Sequence, residues 1–231
     1  MNPTSTPSHQ PPRTWEAVVL EKHTLSSTGF ALSFERKGLQ FEAGQLVNVN
    51  LPGHPPTDER SYTICSGTGD PYLQILFRYM PEGSLTPDLS RLTAGDRIIV
   101  TGPMGEFTIR DRTRPCIFVA TGTGIAPARA YLRSQAVDQL TLVHGVRKAE
   151  DLFYRDEFST GSYISCVSSE PGGDLQGRVT DWLAGFSLPD RATYHLCGAN
   201  EMIYEVRDSL LSRGVAQDAI VTEAYYYRSD D

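Results

Sequence analysis

Two kinds of apolar patterning divide the chain. In the first half, short apolar runs recur at 15–20, 30–34, 46–50, 64, 73–79 and 97–100. Leu32 and Phe34, and the run at 46–50, alternate in part with polar neighbours, the period-two spacing of a strand with one face on a core. Gly29, Gly38 and Gly44 punctuate the runs. Several short strands at turn-like spacing predict a small antiparallel β-barrel. In the second half, Cys116-Ile117-Phe118-Val119-Ala120 is continuously apolar, as expected of a strand covered on both faces. Further strands are predicted at 140–144, 163–167, 194–197 and 220–223. Helices are predicted at 128–136, 151–158 (with Asp151 near its start), 177–183 and 200–211, the last closed by Gly214. Alternating strands and helices predict a parallel sheet with right-handed crossovers, a Rossmann-like α/β unit.

The expected organisation is therefore two domains, a barrel over 14–112 and an α/β domain over 113–231. The Pro-, Ser- and Thr-rich residues 1–13 lack apolar periodicity and read as a disordered tail. The boundary falls in the charged stretch 111–114, just before Pro115.

The chain has 231 residues, 39% of them apolar and 21% charged, which suits an ordinary globular protein. No apolar run is long enough to cross a membrane, and the N-terminus lacks a basic-then-apolar signal pattern. The four cysteines, Cys65, Cys116, Cys166 and Cys197, include no CxxC pair. This argues against metal or iron–sulfur ligation within the chain and suits reduced thiols in a cytoplasm. A net charge of −7 argues against general nucleic-acid binding and leaves room for a local basic patch facing an acidic partner.

Candidate chemistry begins at Arg60-Ser61-Tyr62-Thr63, after a Pro-rich loop at 52–59. An arginine, an aromatic and a hydroxyl on one edge of a strand offer a cation for phosphate, a ring for stacking and a hydrogen-bond donor. That set suits a planar, phosphorylated cofactor; it also describes a half-buried strand with a snorkelling arginine. Gly83-Ser84-Leu85-Thr86-Pro87-Asp88-Leu89 reads as a short helix start with Thr86 as cap and Pro87 in the first turn. Such a start is either a phosphate site or a plain capped surface helix. Gly122-Thr123-Gly124, set between the 116–120 strand and a helix, is a candidate phosphate loop, with Pro127 where a third glycine is usual. In such sheets ligands bind beyond the strands' carboxyl ends where strand order reverses, so this loop and Cys197-Gly198 point to a dinucleotide. At the end of the second strand, Arg147 and Lys148 favour the extra phosphate of NADP. Glu150 and Asp151 lie close by, and a solvated charged turn is the alternative.

In this order, and over nearly the whole chain, the residues resemble the ferredoxin–NADP reductase family. Arg60-Ser61-Tyr62-Thr63 is similar to its Arg-x-Tyr-Ser/Thr flavin motif, and 83–89 to its flavin-diphosphate loop. Gly122-Thr123-Gly124-Ile125-Ala126-Pro127 is similar to its nicotinamide-nucleotide loop. Cys197-Gly198-Ala199-Asn200-Glu201-Met202 and Glu223-Ala224-Tyr225 are similar to its closing motifs. Pro81-Glu82-Gly83 and Gly177-Arg178 resemble the bacterial flavodoxin/ferredoxin reductase branch. The resemblance implies FAD in the barrel, held by Arg60, Ser61, Tyr62 and Thr63 and by Gly83, Ser84, Leu85 and Thr86. It implies NADP, or NAD, on Thr121, Gly122, Thr123, Gly124, Arg147, Ser168 and Arg178. Tyr62 and Tyr225 would cover opposite flavin faces, with Tyr226 close by. Thr63, Cys197, Glu223 and Tyr225 would surround the reacting atoms, Thr63 near flavin N5 and Cys197 beside the nicotinamide. Residue-level alternatives remain: a buried apolar thiol for Cys197, an exposed strand-end acid for Glu223.

Two departures bear on the reading. Ser169 stands in Val167-Ser168-Ser169-Glu170 where NADP-preferring relatives often have arginine. Residues 226–231 continue past Tyr225 and are expected to lie over the flavin or its adenine. Three functions fit: a reductase passing electrons to a separate ferredoxin or flavodoxin; an NADH-linked oxygenase reductase, or a free-flavin or ferric reductase; and a non-catalytic flavin subunit.

Overall fold

The structure is a computed structural model and describes residues 11–158 and 162–225. The apolar runs of the first half become β1 (Arg13–Thr24), β2 (Gly29–Glu35), β3 (Leu46–Asn50), β4 (Arg60–Thr63), β5 (Tyr72–Arg78) and β6 (Arg97–Met104). They form one sheet in the order β4-β3-β6-β1-β2-β5, with every pair antiparallel. The two edge strands meet through an Ile64–Ile75 bridge and a Cys65 N–H to Gln74 carbonyl bond of 2.8 Å, which curls the sheet into a near-closed barrel. Inward positions such as Val19, Phe34, Val49, Ile64 and Leu73 fill its core. A bulge between Val19 and Glu21 bends the long first strand, as an extra residue does.

The second half gives β7 (Cys116–Thr121), β8 (Leu140–Val146), β9 (Tyr163–Val167), β10 (Leu175–Gln176), β11 (Thr193–Gly198) and β12 (Ile220–Ala224). They lie parallel in the order β10-β9-β8-β7-β11-β12. Strand order reverses between β7 and β11, so Thr121 and Gly198 end side by side, as the topology rule requires. Helices α2 (Ala126–Arg133), α3 (Val179–Gly185) and α4 (Asn200–Ser212) accompany the sheet. Short β10 carried no sequence signal.

Three local expectations need correction. Residues 151–158 are not a helix: two single 3₁₀ turns, Ala149–Asp151 and Arg155–Glu157, stand there. Asp151 accepts a hydrogen bond from Ser26 Oγ at 2.6 Å, Glu150 accepts from Ser27, and Tyr154 sits at φ +56°. Contacts with the barrel thus override the helical propensity. Next, α1 (Thr86–Leu89) exists and has Pro87 in its first turn, but Leu85 is its N-cap residue. The Thr86 hydroxyl instead bonds Met80 N–H at 3.0 Å and Met80 O at 3.2 Å, bracing the preceding loop. Finally, α2 and α3 each lie about two residues from their expected positions, and Arg13 already belongs to β1.

The two halves share a packed boundary. Cys65, Leu76 and Phe107 from the barrel side join Phe118, Ala128 and Tyr131 in one buried cluster. Arg129 of α2, 5% exposed, reaches across it to Cys65 O (3.0 Å) and Gln74 Oε1 (2.6 Å). Its other side pairs with Glu157 and lies over the Tyr154 ring. The ion pair, two neutral acceptors and an aromatic face satisfy a charge that burial alone would penalise.

Candidate functional site

Strands β4 and β12 belong to different sheets, yet their ends meet. Thr63 Oγ1 donates to Glu223 Oε2 at 2.9 Å and accepts from the Tyr225 phenol at 2.7 Å. In the parallel pairing of β11 with β12, Cys197 stands opposite Glu223, and Tyr225 N–H returns to Gly198 O at 2.9 Å. Residues 160 (Thr63 and Glu223) and 162 (Thr63 and Tyr225) positions apart therefore converge. Burial raises Glu223 to about 7, opposed by the Thr63 hydrogen bond, so its carboxyl changes protonation near neutral pH. Burial, then the Glu223 charge, holds the Cys197 thiol well above its usual range. A thiol so held is no nucleophile; it supplies a small polarizable surface. Burial likewise keeps the Tyr225 phenol protonated.

The expected single edge on β4 is in fact two faces, because side chains alternate along a strand. Ser61 and Thr63 share one: Ser61 Oγ donates to Asn48 Oδ1 at 2.7 Å. Arg60 and Tyr62 share the other. Tyr62 is half-buried, packed edge-on to Phe77 at 6.3 Å between ring centroids and against the barrel core. Exposed Arg60 bonds Thr57 O and Glu59 O and Ser84 Oγ at 3.1 Å. The two barrel motifs are thus adjacent, and among the described residues Arg60 has no carboxylate partner. An uncompensated guanidinium beside a hydroxyl fits a phosphate anion. Gly83 lies close to Thr86, whose Oγ1 would be 3.0 Å from an added Cβ. Leu85 is 1% exposed, its side chain committed to the core.

In the α/β half, Thr121 Oγ1 accepts Ala199 N–H at 2.9 Å, tying β7 to the loop after β11. Gly122 adopts φ +52°. Gly124 has ordinary backbone angles but no room: an added Cβ would lie 2.3 Å from Cys197 O. Thr123 is buried. Arg147, Ser168 and Arg178 are exposed near the strand ends, with Ser168 N–H bonded to Val146 O and Arg178 N–H to Asp181. Between the domains a cavity of about 200 Å³ is lined by Ser27, Thr28, Ser169, the cations Arg78, Arg147 and Lys148, and the carboxylates Glu150 and Asp151. Glu150 and Asp151 are turned to the barrel's Ser27 and Ser26, so the acids that clouded the sequence reading already have partners. Tyr226 lies outside the described residues.

Sequence reasoning missed Asn48, Arg78, Arg129 and His144. Arg129 sits in an otherwise apolar helix stretch, and a charge there is the one signal that was available. No local pattern marks the others.

Two family models match this chain: an oxidoreductase FAD-binding domain over residues 17–109 and an oxidoreductase NAD-binding domain over 118–208. The ferredoxin–NADP reductase B of Sorangium cellulosum is 34% identical over 226 residues, covering 87% of this chain and 91% of that one. The toluate 1,2-dioxygenase electron transfer component of Pseudomonas putida is 30% identical over 218 residues, 87% of this chain. The chain spans only 64% of that relative's length. Among solved structures, the Amycolatopsis cytochrome P450 reductase GcoB aligns at a TM-score of 0.82 with 27% identity, over 94% of this chain and 71% of GcoB. Among the described residues no helix is long and apolar enough to cross a membrane.

Proposed function

The chain belongs to the ferredoxin–NADP reductase family, and on that premise we propose that it is a flavin-dependent reductase linking a nicotinamide nucleotide to a separate one-electron carrier, a ferredoxin or flavodoxin. The observation that carries this reading is the meeting of Thr63 with Glu223 and Tyr225 where barrel and sheet join. Bound FAD supplies the exchange of one hydride for two single electrons, which no side chain offers. Arg60 and Ser84 would hold its diphosphate, and Tyr62 and Tyr225 would flank its ring. Thr121, Gly122, Thr123 and Gly124 would take the nucleotide's phosphates, with Ser168 near its adenosine end. Cys197, buried opposite Glu223, would leave room beside the reacting carbon for the close approach that hydride transfer needs. Glu223, titrating at about 7, can accept or return a proton through the Thr63 hydroxyl. Four buried free cysteines suit a reducing cytoplasm.

NADP is the favoured nucleotide. Arg147 and Arg178 are exposed and have no ion-pair partner among the described residues, while Glu150 and Asp151, in the same cavity as Arg147, accept hydrogen bonds from Ser27 and Ser26. A second reading, an NADH-linked reductase component of an oxygenase, is favoured by Ser169 in place of a cation and by the kinship with the toluate dioxygenase component. The spectrum of the purified protein, followed by anaerobic titration with NADPH and NADH, tests both. A yellow protein bleached more readily by NADPH is expected. A colourless protein that takes up no FAD sinks the proposal, and bleaching by NADH alone moves it to the second reading.

A further inference from the structure

His144 lies on β8, and its side chain is fully buried. One ring nitrogen, Nε2, is 2.8 Å from the Gly122 carbonyl oxygen; the other, Nδ1, is 2.6 Å from the Tyr163 phenol oxygen. A carbonyl can only accept, so Nε2 carries the hydrogen. In the neutral ring Nδ1 is then an acceptor, and Tyr163 donates to it. Burial pushes the His144 pKa down to about 4, which keeps the ring neutral at ordinary pH. Both hydrogen-bond directions follow from the chemistry of the partners. The groups around the ring are Gly122 from the loop, Tyr163 from β9 and the Phe153 ring at 6.4 Å; no charged side chain faces it among these contacts.

Gly122 is the residue of the loop that stands at positive φ, +52°, and nothing lies within 4 Å of where its Cβ would be. Gly122 opens a short 3₁₀ turn, Gly122–Ile125, and its carbonyl is engaged by the imidazole. Across a trans peptide the carbonyl and the following N–H point in opposite directions. Drawing Gly122 O toward His144 turns the Thr123 N–H away from the ring. Gly122 and Thr123 border a small cavity with Thr28, Gly29, Arg78, Asp151 and Phe153, in which the Asp151 carboxylate is engaged by the Ser26 hydroxyl.

We propose that His144 is the positioning residue of the nucleotide loop, its Nε2–H holding the Gly122 peptide in the orientation that receives the nucleotide's phosphates, with Tyr163 fixing the tautomer. The inference rests on the nicotinamide-nucleotide reading above. It predicts that what matters is a donor at the Nε2 position, which glutamine retains and asparagine does not. Flavin-loaded unmodified protein, His144→Gln and His144→Asn are titrated calorimetrically with NADP⁺ and with NAD⁺. His144→Asn is expected to bind the preferred nucleotide roughly ten- to thirtyfold more weakly, the effect of losing one buried donor. His144→Gln is expected to stay within about threefold. Flavin content, and the limiting rate of flavin reduction at saturating nucleotide, are expected to be unchanged in both, so the defect appears in binding alone.

Equal affinity for all three proteins overturns the inference, and so does a loss as large in His144→Gln as in His144→Asn. If the unmodified protein binds neither nucleotide, the nucleotide reading falls and takes the inference with it; binding that His144→Asn leaves intact overturns the inference alone. Should His144→Asn fail to fold, ¹⁵N NMR of the unmodified protein decides. A neutral Nε2–H ring at pH 7 supports the proposal, and an Nδ1–H ring or a cation overturns it.

Discussion

The two halves prepare their candidate phosphate sites by different means. At the barrel, the groups are exposed side chains, Arg60 and Ser84, on a framework whose core lies elsewhere. At the parallel sheet, the groups are backbone, and the site exists because two strands and a loop touch without side chains between them. A side-chain site can be deleted and leave the fold standing. A backbone site cannot be altered without moving the elements that define it, which is why glycine is required there. The largest expected effect follows. In Gly124→Ala the new Cβ meets Cys197 O at 2.3 Å and Cys197 C at 2.7 Å, main-chain atoms with no rotamer to escape into. Overpacking of this kind costs up to about 3 kcal/mol, or roughly 6–12 °C in Tm for a chain of this size. The catalytic efficiency with NADPH is expected to fall at least a hundredfold while FAD stays bound to the barrel. Gly122→Ala, with open space but φ +52°, should cost only about 1–2 kcal/mol. If the two variants lose stability equally, close approach is not what Gly124 provides.

The barrel site should behave in the opposite way. Arg60→Ala removes an exposed guanidinium and no core contact, so thermal stability of the flavin-free protein should change by no more than about 0.5 kcal/mol. Its flavin affinity should fall roughly ten- to a hundredfold, the worth of a charge-assisted hydrogen bond to an anion. Fluorimetric FAD titration and a melting curve on the same preparation check both halves of the statement. A large stability loss with unchanged FAD affinity would make Arg60 a strut of the 56–59 turn instead.

The same contrast explains what could be read from the chain alone. Barrel strands announced themselves by partial alternation, and buried β7 by an unbroken apolar run, because each pattern reports a local environment. The glycine loop and Cys197-Gly198 were legible because the parallel topology dictates where they must end. Residues 151–158 misled because their helical look was local while their partners, Ser26 and Arg129, lie far along the chain. Thr86 misled similarly: a hydroxyl before proline is a good cap, but Met80 had already claimed it. His144 carried no signal, since its meaning depends on a carbonyl 22 positions away.

Glu223 sits at the seam, and there the comparison takes on a pH dependence. Its ordinary value of 4.5 is raised to about 7 in the fold. Between those values the folded protein keeps a proton that the unfolded chain releases. Stability contributed by this group is therefore present below about pH 4.5 and declines as pH rises through 7. Glu223→Gln, which cannot titrate, should be more stable than the unmodified protein at pH 8, by an amount on the order of 2 kcal/mol after allowance for partial exposure. The two should converge near pH 4. Turnover at pH 7 is expected to fall roughly tenfold, at the low end for lost general acid–base help, and the limb of the pH–rate profile near 7 should vanish. A limb that persists in the Gln variant assigns it to another group.

The smallest effect should come from the exposed rim, where side chains choose between nucleotides without shaping the loop. Ser169 borders the interdomain cavity with Arg78, Arg147 and Lys148, and it stands where NADP-preferring relatives often have arginine. Ser169→Arg adds a cation to a surface that holds three beside two carboxylates, with Lys148 already paired to Glu150. The extra charge-assisted contact is worth about 1 kcal/mol at an exposed site. The NADPH over NADH ratio in kcat/KM should therefore rise about fivefold through KM, with the limiting rate unchanged. The gain should shrink as salt is raised, because surface charges are screened over roughly 10 Å at 0.1 M. An unchanged ratio, or one insensitive to ionic strength, would separate Ser169 from nucleotide choice and leave Arg147 and Arg178 as the discriminating cations.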